Sequence, residues 1–171
     1  MMDNFFRDAL VAELEHLRKR TLETVQGLSR DQLLWRPPGS DGNPIGFLLW
    51  HLARREDYHL QTRIGGAEQL WQTEGWHGRF GIDPEATGFG FTAEQVRDFP
   101  MPALQDIIAY YGRVREVTLD YLRASSDASL QGPMPGAPDT SIYVYLQARA
   151  GHEHEHWGQM DYLKGVMPKE G

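Results

Sequence analysis

The sequence predicts an all-α fold, a four-helix bundle with a long irregular aromatic connection between its second and third helices. Three observations predict it. Four segments of about 20–28 residues carry apolar side chains at three- and four-residue steps, the period of a helix with one buried face. No stretch alternates apolar and polar residues for long enough to read as a strand. No internal repeat or domain-scale linker interrupts the chain, so residues 1–171 read as one domain. Helices of this length would build a bundle on the order of 30–40 Å long.

The first segment covers residues 3–28, with Phe6, Leu10, Leu14, Leu17, Thr21, Val25 and Leu28 on one stripe and Asp3 or Asn4 to cap its start. His16 falls off the stripe, toward solvent. Ser29 caps a short turn, DQLLW, that Pro37, Pro38 and Gly39 stop, and Trp35 is expected to pack over the bundle end. Asn43 at N-cap and Pro44 at the first helical position open the second long helix, which runs to Gly65-Gly66. Its inward stripe is Ile45, Leu48, His51 or Leu52, Arg55, and Tyr58 or His59. Residues 67–99 are rich in glycine and aromatics and keep no period. A connection of that length reads as a lid or binding loop. Thr92 and Gln95 form a capping box for a short helix through Phe99. Pro102 opens the third long helix, with Leu104, Ile107, Ile108, Tyr111, Val114, Thr118, Tyr121 and Leu122 inward. After a loop dense in Gly and Pro, Asp139 or Thr140 caps the last helix, residues 140–167.

The bulk numbers exclude several function classes. With 171 residues, 40% hydrophobic and 24% charged, the chain can bury a sizeable core. Its balance of 17 Lys+Arg against 24 Asp+Glu, a net charge of −7, argues against nucleic-acid and anionic-membrane partners. There are no cysteines, so disulfides, thiolate metal sites and cysteine nucleophiles are ruled out. The acidic, amphipathic start is not a signal peptide, and no apolar run reaches membrane-spanning length, so the expected location is cytoplasmic.

The last helix carries the chemistry. His152 and His156 are one turn apart, so both imidazoles project from one face, while His154 points the opposite way. Glu153 and Glu155 flank that face and are read as solvated. Two imidazoles hold a divalent ion poorly, so a metal needs a third ligand. His51 lies among Leu48, Leu49, Trp50 and Leu52, where a histidine needs a partner. It is either a satisfied core histidine or that third ligand. Three imidazoles with one open position are the catalytic zinc pattern, and nickel and iron also accept imidazole. His59, His77 and His154 are read as non-ligands, with His77 the best outsider for a fourth ligand or a substrate contact. Arg149 lies one turn before His152, Gln159 about one turn after it, and Arg55 four residues after His51. Trp71, Trp76, Phe80, Phe89 and Phe91 are candidates to wall an apolar substrate pocket or to cover a dimer interface. No general base, Ser/His/Asp set or phosphate loop is apparent.

NPIGFLLWHLARREDYHL, the turn DQLLWRP and the ending GHEHEHWGQMDYL resemble the DinB/YfiT-like family of small four-helix-bundle metal-dependent enzymes, over essentially the whole chain. The resemblance implies His51, His152 and His156 as metal ligands, followed by Gly158-Gln159. Glu155 stands where the family usually has a second histidine, and Trp157 where Arg is frequent. It also implies a divalent transition metal, zinc or nickel first and iron or manganese after them. The activity it implies is transfer of a low-molecular-weight thiol, bacillithiol-like, to an electrophilic small molecule in stress response or detoxification, by a homodimer. Arg149 is then a candidate to contact a carboxylate of a thiol cofactor, with a surface salt bridge as the alternative, and Arg55 carries the same two readings. A metal-dependent hydrolase on the same site and a non-catalytic metal-binding or scaffold bundle are the competing expectations.

Overall fold

The four periodic segments are the four long helices of a computed structural model that describes residues 4–168. In chain order the elements are α1 (Phe5–Val25), α2 (Arg30–Leu34) and α3 (Ile45–Asp57), which runs on into a wider π-helical segment, Tyr58–Ile64. The connection then holds three short helices, α4 (Leu70–Thr73), α5 (Trp76–Phe80) and α6 (Ala93–Arg97). After these come α7 (Leu104–Ala124), α8 (Asp127–Leu130), a hairpin of β1 (Pro133–Met134) with β2 (Ala137–Ser141), and α9 (Ile142–Val166). Both α1 and α3 pack against α7 and α9, so α1 faces α3, and α7 faces α9, across the diagonals.

The direction of the helices explains the long connection. Gly46, near the start of α3, lies against Met101 just before α7, and Asp57 at the end of α3 meets Tyr110 of α7. The two helices therefore run in the same direction. The chain between them must travel back along the bundle, as the crossover connections of such bundles do. That return path is not bare loop. Asp57 accepts hydrogen bonds from the Leu70 and Trp71 amides (3.0 and 2.9 Å), and Arg54 reaches Gln69 Oε1 and the Ala86 carbonyl (2.9 and 3.0 Å). Burial raises the pKa of Asp57 against the lowering pull of these bonds and of Tyr110. Trp71, Trp76 and Phe80 pack on Tyr110 and belong to the larger core cluster. Of the five aromatics expected to wall a pocket or cover a dimer interface, Phe89 is exposed and Phe91 half-buried.

The stripes are buried as expected on α1 (Leu10, Leu14, Leu17, Thr21 and Val25) and on α7 (Ile107, Tyr111, Val114, Thr118 and Leu122). From Ile45 through Arg54, α3 is buried all round, because the connection covers its outer side. The capping boxes at Ser29 and Thr92 form. Trp35 packs against the larger core cluster, and His16 is exposed.

Several boundaries differ. Asp3 lies outside the described residues, and Asn4 makes no side-chain cap. The first amides of α1 instead donate to the carboxylate of Asp127, Phe6 at 3.1 Å and Arg7 at 3.0 Å, a cap supplied from 120 residues away. Pro44 adopts an extended ψ of 161°, so it is itself the N-cap of α3 and Asn43 lies one residue outside. Ala103, not Pro102, precedes α7. Ser141 caps α9 by accepting from the Val144 amide, in place of Asp139 or Thr140, which lie in β2. That hairpin was not expected, since APDTS does not alternate. Its signal is the turn Met134-Pro135-Gly136-Ala137, with Pro first and Gly at φ +73° second, the requirement of a type II turn.

One buried group ties all four long helices together. Arg115 of α7 is fully buried. It donates to the Leu14 carbonyl of α1, to both Glu56 oxygens of α3 (2.8 to 3.2 Å) and to Glu153 of α9 (2.5 Å). Tyr111 closes the network with a 2.6 Å bond to the other Glu153 oxygen. Burial works against the charge of Arg115, but Glu56, Tyr111 and Glu153 outweigh it and raise its pKa well above the ordinary value. Replacing Arg115 by Leu leaves two desolvated carboxylates without a cation, which is expected to cost about 3–5 kcal/mol. Urea unfolding checks this. A loss below about 1 kcal/mol would mean that the network is not what joins the helices.

Candidate metal centre

Two helices that run antiparallel, α3 and α9, place their polar residues face to face. On α3 and its π-helical end the residues are His51, Arg55, His59 and Arg63, each four after the last. On α9 they are Tyr145, Arg149, His152, His156 and Gln159, at steps of four and three. Both patterns put every member on one face. The seam has three histidines at one end and arginines at the other.

At the histidine end, one ring nitrogen from each of His51, His152 and His156 lies within 4.8 Å of the others. The His152 and His156 Nε2 atoms face each other at 3.1 Å. The His51 ring centroid is 5.8 Å from that of His152 and 5.3 Å from that of His156. The outer nitrogens decide what the inner ones offer. A carbonyl oxygen can only accept, so the 2.7 Å contact of His51 Nδ1 with the Thr87 carbonyl places the ring proton on Nδ1 and leaves Nε2 with its lone pair. The 2.8 Å bond from His156 Nδ1 to Gln159 Oε1 does the same for His156. A tetrahedral ion bonded at about 2.0–2.1 Å wants its donors roughly 3.3 Å apart. The His152–His156 pair already has nearly that spacing. The group fits a divalent transition metal: three imidazoles converge, and the outer nitrogens of His51 and His156 are oriented as metal ligands require.

Burial also sets the protonation state. It lowers His51 to about 4, opposed by the Thr87 carbonyl and helped by His156 and His152. Burial lowers His152 to about 4 as well, with His156 and then Arg149 adding to the effect. Both rings are neutral at pH 7, the state that binds metal. Each has a folded pKa below its unfolded value. Each therefore contributes stability that is complete above pH 6.5 and is lost as the pH falls toward 4.

The connection aims His51. Gly88, at φ +76°, has no room for a side chain: an added Cβ would sit 2.8 Å from His51 Nδ1 and 2.9 Å from the Trp50 ring. The lid expected over residues 67–99 is, at Thr87 and Gly88, the support of a candidate ligand. Phe47 stacks on the same imidazole, its ring 6° from parallel.

The remaining candidates are distributed as follows. Gln159 orients His156. Arg55 and Arg149 are half-buried beside the histidines and, among the described residues, form no ion pair with a carboxylate, so neither is the surface salt bridge that was the alternative. His59 is buried on the same seam, bonded to the Tyr145 hydroxyl, and lies outside the histidine group. His77 packs near Trp71, also outside the group. His154 points away, to Glu13 of α1. Glu153 overturns its expected place: it is buried on Arg115 and Tyr111 rather than solvated. Thr87, Gly88, Arg63 and Tyr145 were not singled out in the sequence. For Arg63 a signal was there, the four-residue repeat from His51. For Thr87 there was none, because its contribution is a backbone carbonyl.

The model of the DinB superfamily matches residues 13–160, which include all three histidines. The chain belongs to the DinB superfamily. Among solved structures it is similar to a conserved protein from Enterococcus faecalis, at 20% identity and a TM-score of 0.79, over 92% of this chain and 94% of that one. That likeness shows a shared fold. No curated protein matches the sequence. Among the described residues of this DinB-superfamily chain, no helix is long and apolar enough to cross a membrane.

Two measurements check the geometry. In metal-free protein, the His51 and His152 ring protons followed by NMR should titrate near pH 4. Midpoints near 6.5 would show that the rings are not held neutral by burial. Gly88→Ala should push the His51 ring off the Thr87 carbonyl and weaken zinc binding roughly 10–100-fold, the usual cost of losing a ligand's outer hydrogen bond, with helicity retained. Unchanged affinity would show that Thr87 does not aim the ligand.

Proposed function

We propose that this DinB-superfamily protein is a metal-dependent enzyme that transfers a low-molecular-weight thiol, bacillithiol-like, to an electrophilic small molecule, with the metal on His51, His152 and His156. One observation carries the reading. Three imidazoles converge with no fourth His, Cys, Asp or Glu side chain in the group among the described residues, and His152 lines a cavity that shares Arg55, His59 and Arg149 with a neighbouring cleft. Three protein donors leave a coordination position for a reactant, whereas a structural site is closed by four. An all-imidazole set suits zinc, nickel and iron better than manganese, which prefers oxygen ligands.

An ion bound there would favour the thiolate form of a sulfur ligand. The chain's own residues do the rest. Thr87 and Gln159 hold two imidazoles in the ligating tautomer. Leu52, Leu60, Leu146 and Ala150 line a small cavity of about 40 Å³ that reaches His152 and gives the histidines an apolar wall. In the reaction, a sulfur–carbon bond forms with the sulfur's electron pair, the bond to the leaving group breaks with its own pair, and the thiol proton passes to solvent. No side chain is required as a general base, since the thiol proton passes to solvent, and Glu56 and Glu153 are committed to Arg115.

Protein purified without an affinity tag or chelator should carry about one transition metal per chain by elemental mass spectrometry. His51→Ala, His152→Ala and His156→Ala should each lose it while remaining helical by circular dichroism. Stoichiometric metal retained in any of the three would falsify the three-histidine site. With metal bound, turnover of a model electrophile should require added thiol. Turnover by water alone would instead assign the site to hydrolysis.

A further inference from the structure

Beyond the histidines, the seam between α3 and α9 opens into a cleft of about 510 Å³ whose lining includes Arg55, Arg63 and Arg149 together with His59, Tyr58 and Tyr145. No carboxylate lies on that lining. Among the described residues, none of the three guanidiniums forms an ion pair. The two carboxylates on the lining of the adjoining cavity, Glu56 and Glu153, both accept from Arg115.

Arg149 shows the deficit most clearly. Its Nε is buried with no hydrogen-bond partner, and its Nη1 reaches only the neutral His59 ring, at 3.4 Å. Burial lowers His59 to about 3, helped by Arg55 and Arg149, so it carries no charge and cannot act as a counter-ion. Arg55 has aromatic rings near it, Phe89 at 5.2 Å and Tyr58 at 5.8 Å, and no anion. Its pKa is lowered by burial and by the charge of Arg149, a repulsion that a bound anion would relieve. Arg149 thus lowers the pKa of Arg55 while keeping a buried donor of its own without a partner. Planar guanidinium forks match the oxygens of a carboxylate or a phosphate, to which they bind through paired hydrogen bonds.

We propose that Arg55, Arg63 and Arg149 form a subsite for an anionic oxygen group, a carboxylate or phosphate, on the small molecule that reacts at the histidines. The second half of this statement rests on the function proposed above; the anion subsite stands without it. The geometry links the two. Arg55 is about 6 Å along the helix axis from His51, and Arg149 about 4.5 Å from His152. Arg55, His59 and Arg149 line both the cleft and the cavity that reaches His152. A molecule anchored by its anionic end on the arginines would lie along the seam with its other end at the histidines. Phe89, the most exposed large apolar residue, sits over Arg55 at the cleft rim and would cover that end.

The test is calorimetric titration of the full chain, at low salt in a buffer free of carboxylate and phosphate, with succinate in one series and inorganic phosphate in another. One anion is expected to bind per chain, with the preferred series identifying the group. Arg149→Gln and Arg63→Gln should each weaken binding at least tenfold, and metal content and helicity should not change. Arg123→Gln, at a surface pair with Glu15, should bind as the wild type does. Failure of both anions to bind, or equal affinity in the Arg63→Gln/Arg149→Gln double variant, overturns the subsite. The same titrations on His152→Ala separate the two readings. Anion binding retained there, with metal lost, supports a subsite independent of the metal. If no wild-type metal is found but succinate or phosphate binds, the thiol-transfer reading fails and the subsite remains.

Discussion

The buried guanidinium of Arg115 is the constraint on which the rest of the structure depends. It gathers a carbonyl of α1 and carboxylates of α3 and α9 around a side chain of α7, so it fixes the relative heights of all four long helices at one level. Its two carboxylates are sequence neighbours of site residues. Glu56 follows Arg55, and Glu153 follows His152. Any slide of α9 past α3 that separated His152 from His51 would also pull Glu153 from Arg115 and leave a charge buried without a partner. Burying a paired charge contributes little net stability compared with a packed apolar group, but breaking the pair is costly. A network of this kind therefore resists sliding more than it adds to overall stability. A site made of one histidine from one helix and two from another requires that property, because a ligand displaced by an ångström no longer shares an ion with the other two.

The second constraint is topological. Because α3 and α7 run in the same direction, the chain between them must return along the bundle. The return brings backbone against the outer side of α3 at His51. The hydrogen bonds of Arg54 and Asp57 fix where it passes, and the glycine at 88 lets it come close enough for the Thr87 carbonyl to hold the ring. The same crossing supplies Phe89 above Arg55. The connection thus both completes the core, through Trp71, Trp76 and Phe80, and finishes the site, through Thr87 and Gly88.

What could be read from the sequence follows from the range of each interaction. The four helices were legible, because helical periodicity is a local pattern that burial of one face imposes directly. The three histidines were legible for a related reason: a one-turn spacing fixes a shared face, and a histidine among Leu48, Leu49, Trp50 and Leu52 must be answered by something. His154 was placed correctly by angle alone. Glu153 was not. Its angle put it at the side of the face, and only the arrival of Arg115 from a helix 38 residues earlier turns that side into the interior. The cap of α1 by Asp127 was hidden in the same way. Helix starts at Pro44 and Leu104 missed by a residue or two, since a proline can be the cap or the first helical residue with little change in local pattern. The hairpin was hidden because its strands are short and do not alternate, although Pro135-Gly136 announced its turn.

The charge of the chain shows how a bulk number and a site can differ. A net −7 repels anions at a distance. At physiological ionic strength, however, the field of exposed charges fades over about 8 Å, while half-buried groups are screened far less. Within the seam the local balance is the opposite of the global one. Three guanidiniums line the cleft, the nearby histidines are held neutral, and the neighbouring carboxylates are consumed by Arg115. Arg115 therefore has a second effect beyond fixing the helices. By taking both oxygens of Glu56 and one of Glu153, whose other oxygen accepts from Tyr111, it ties up two anions on the cavity that Arg55 and Arg149 also line, and the cleft keeps its positive charge.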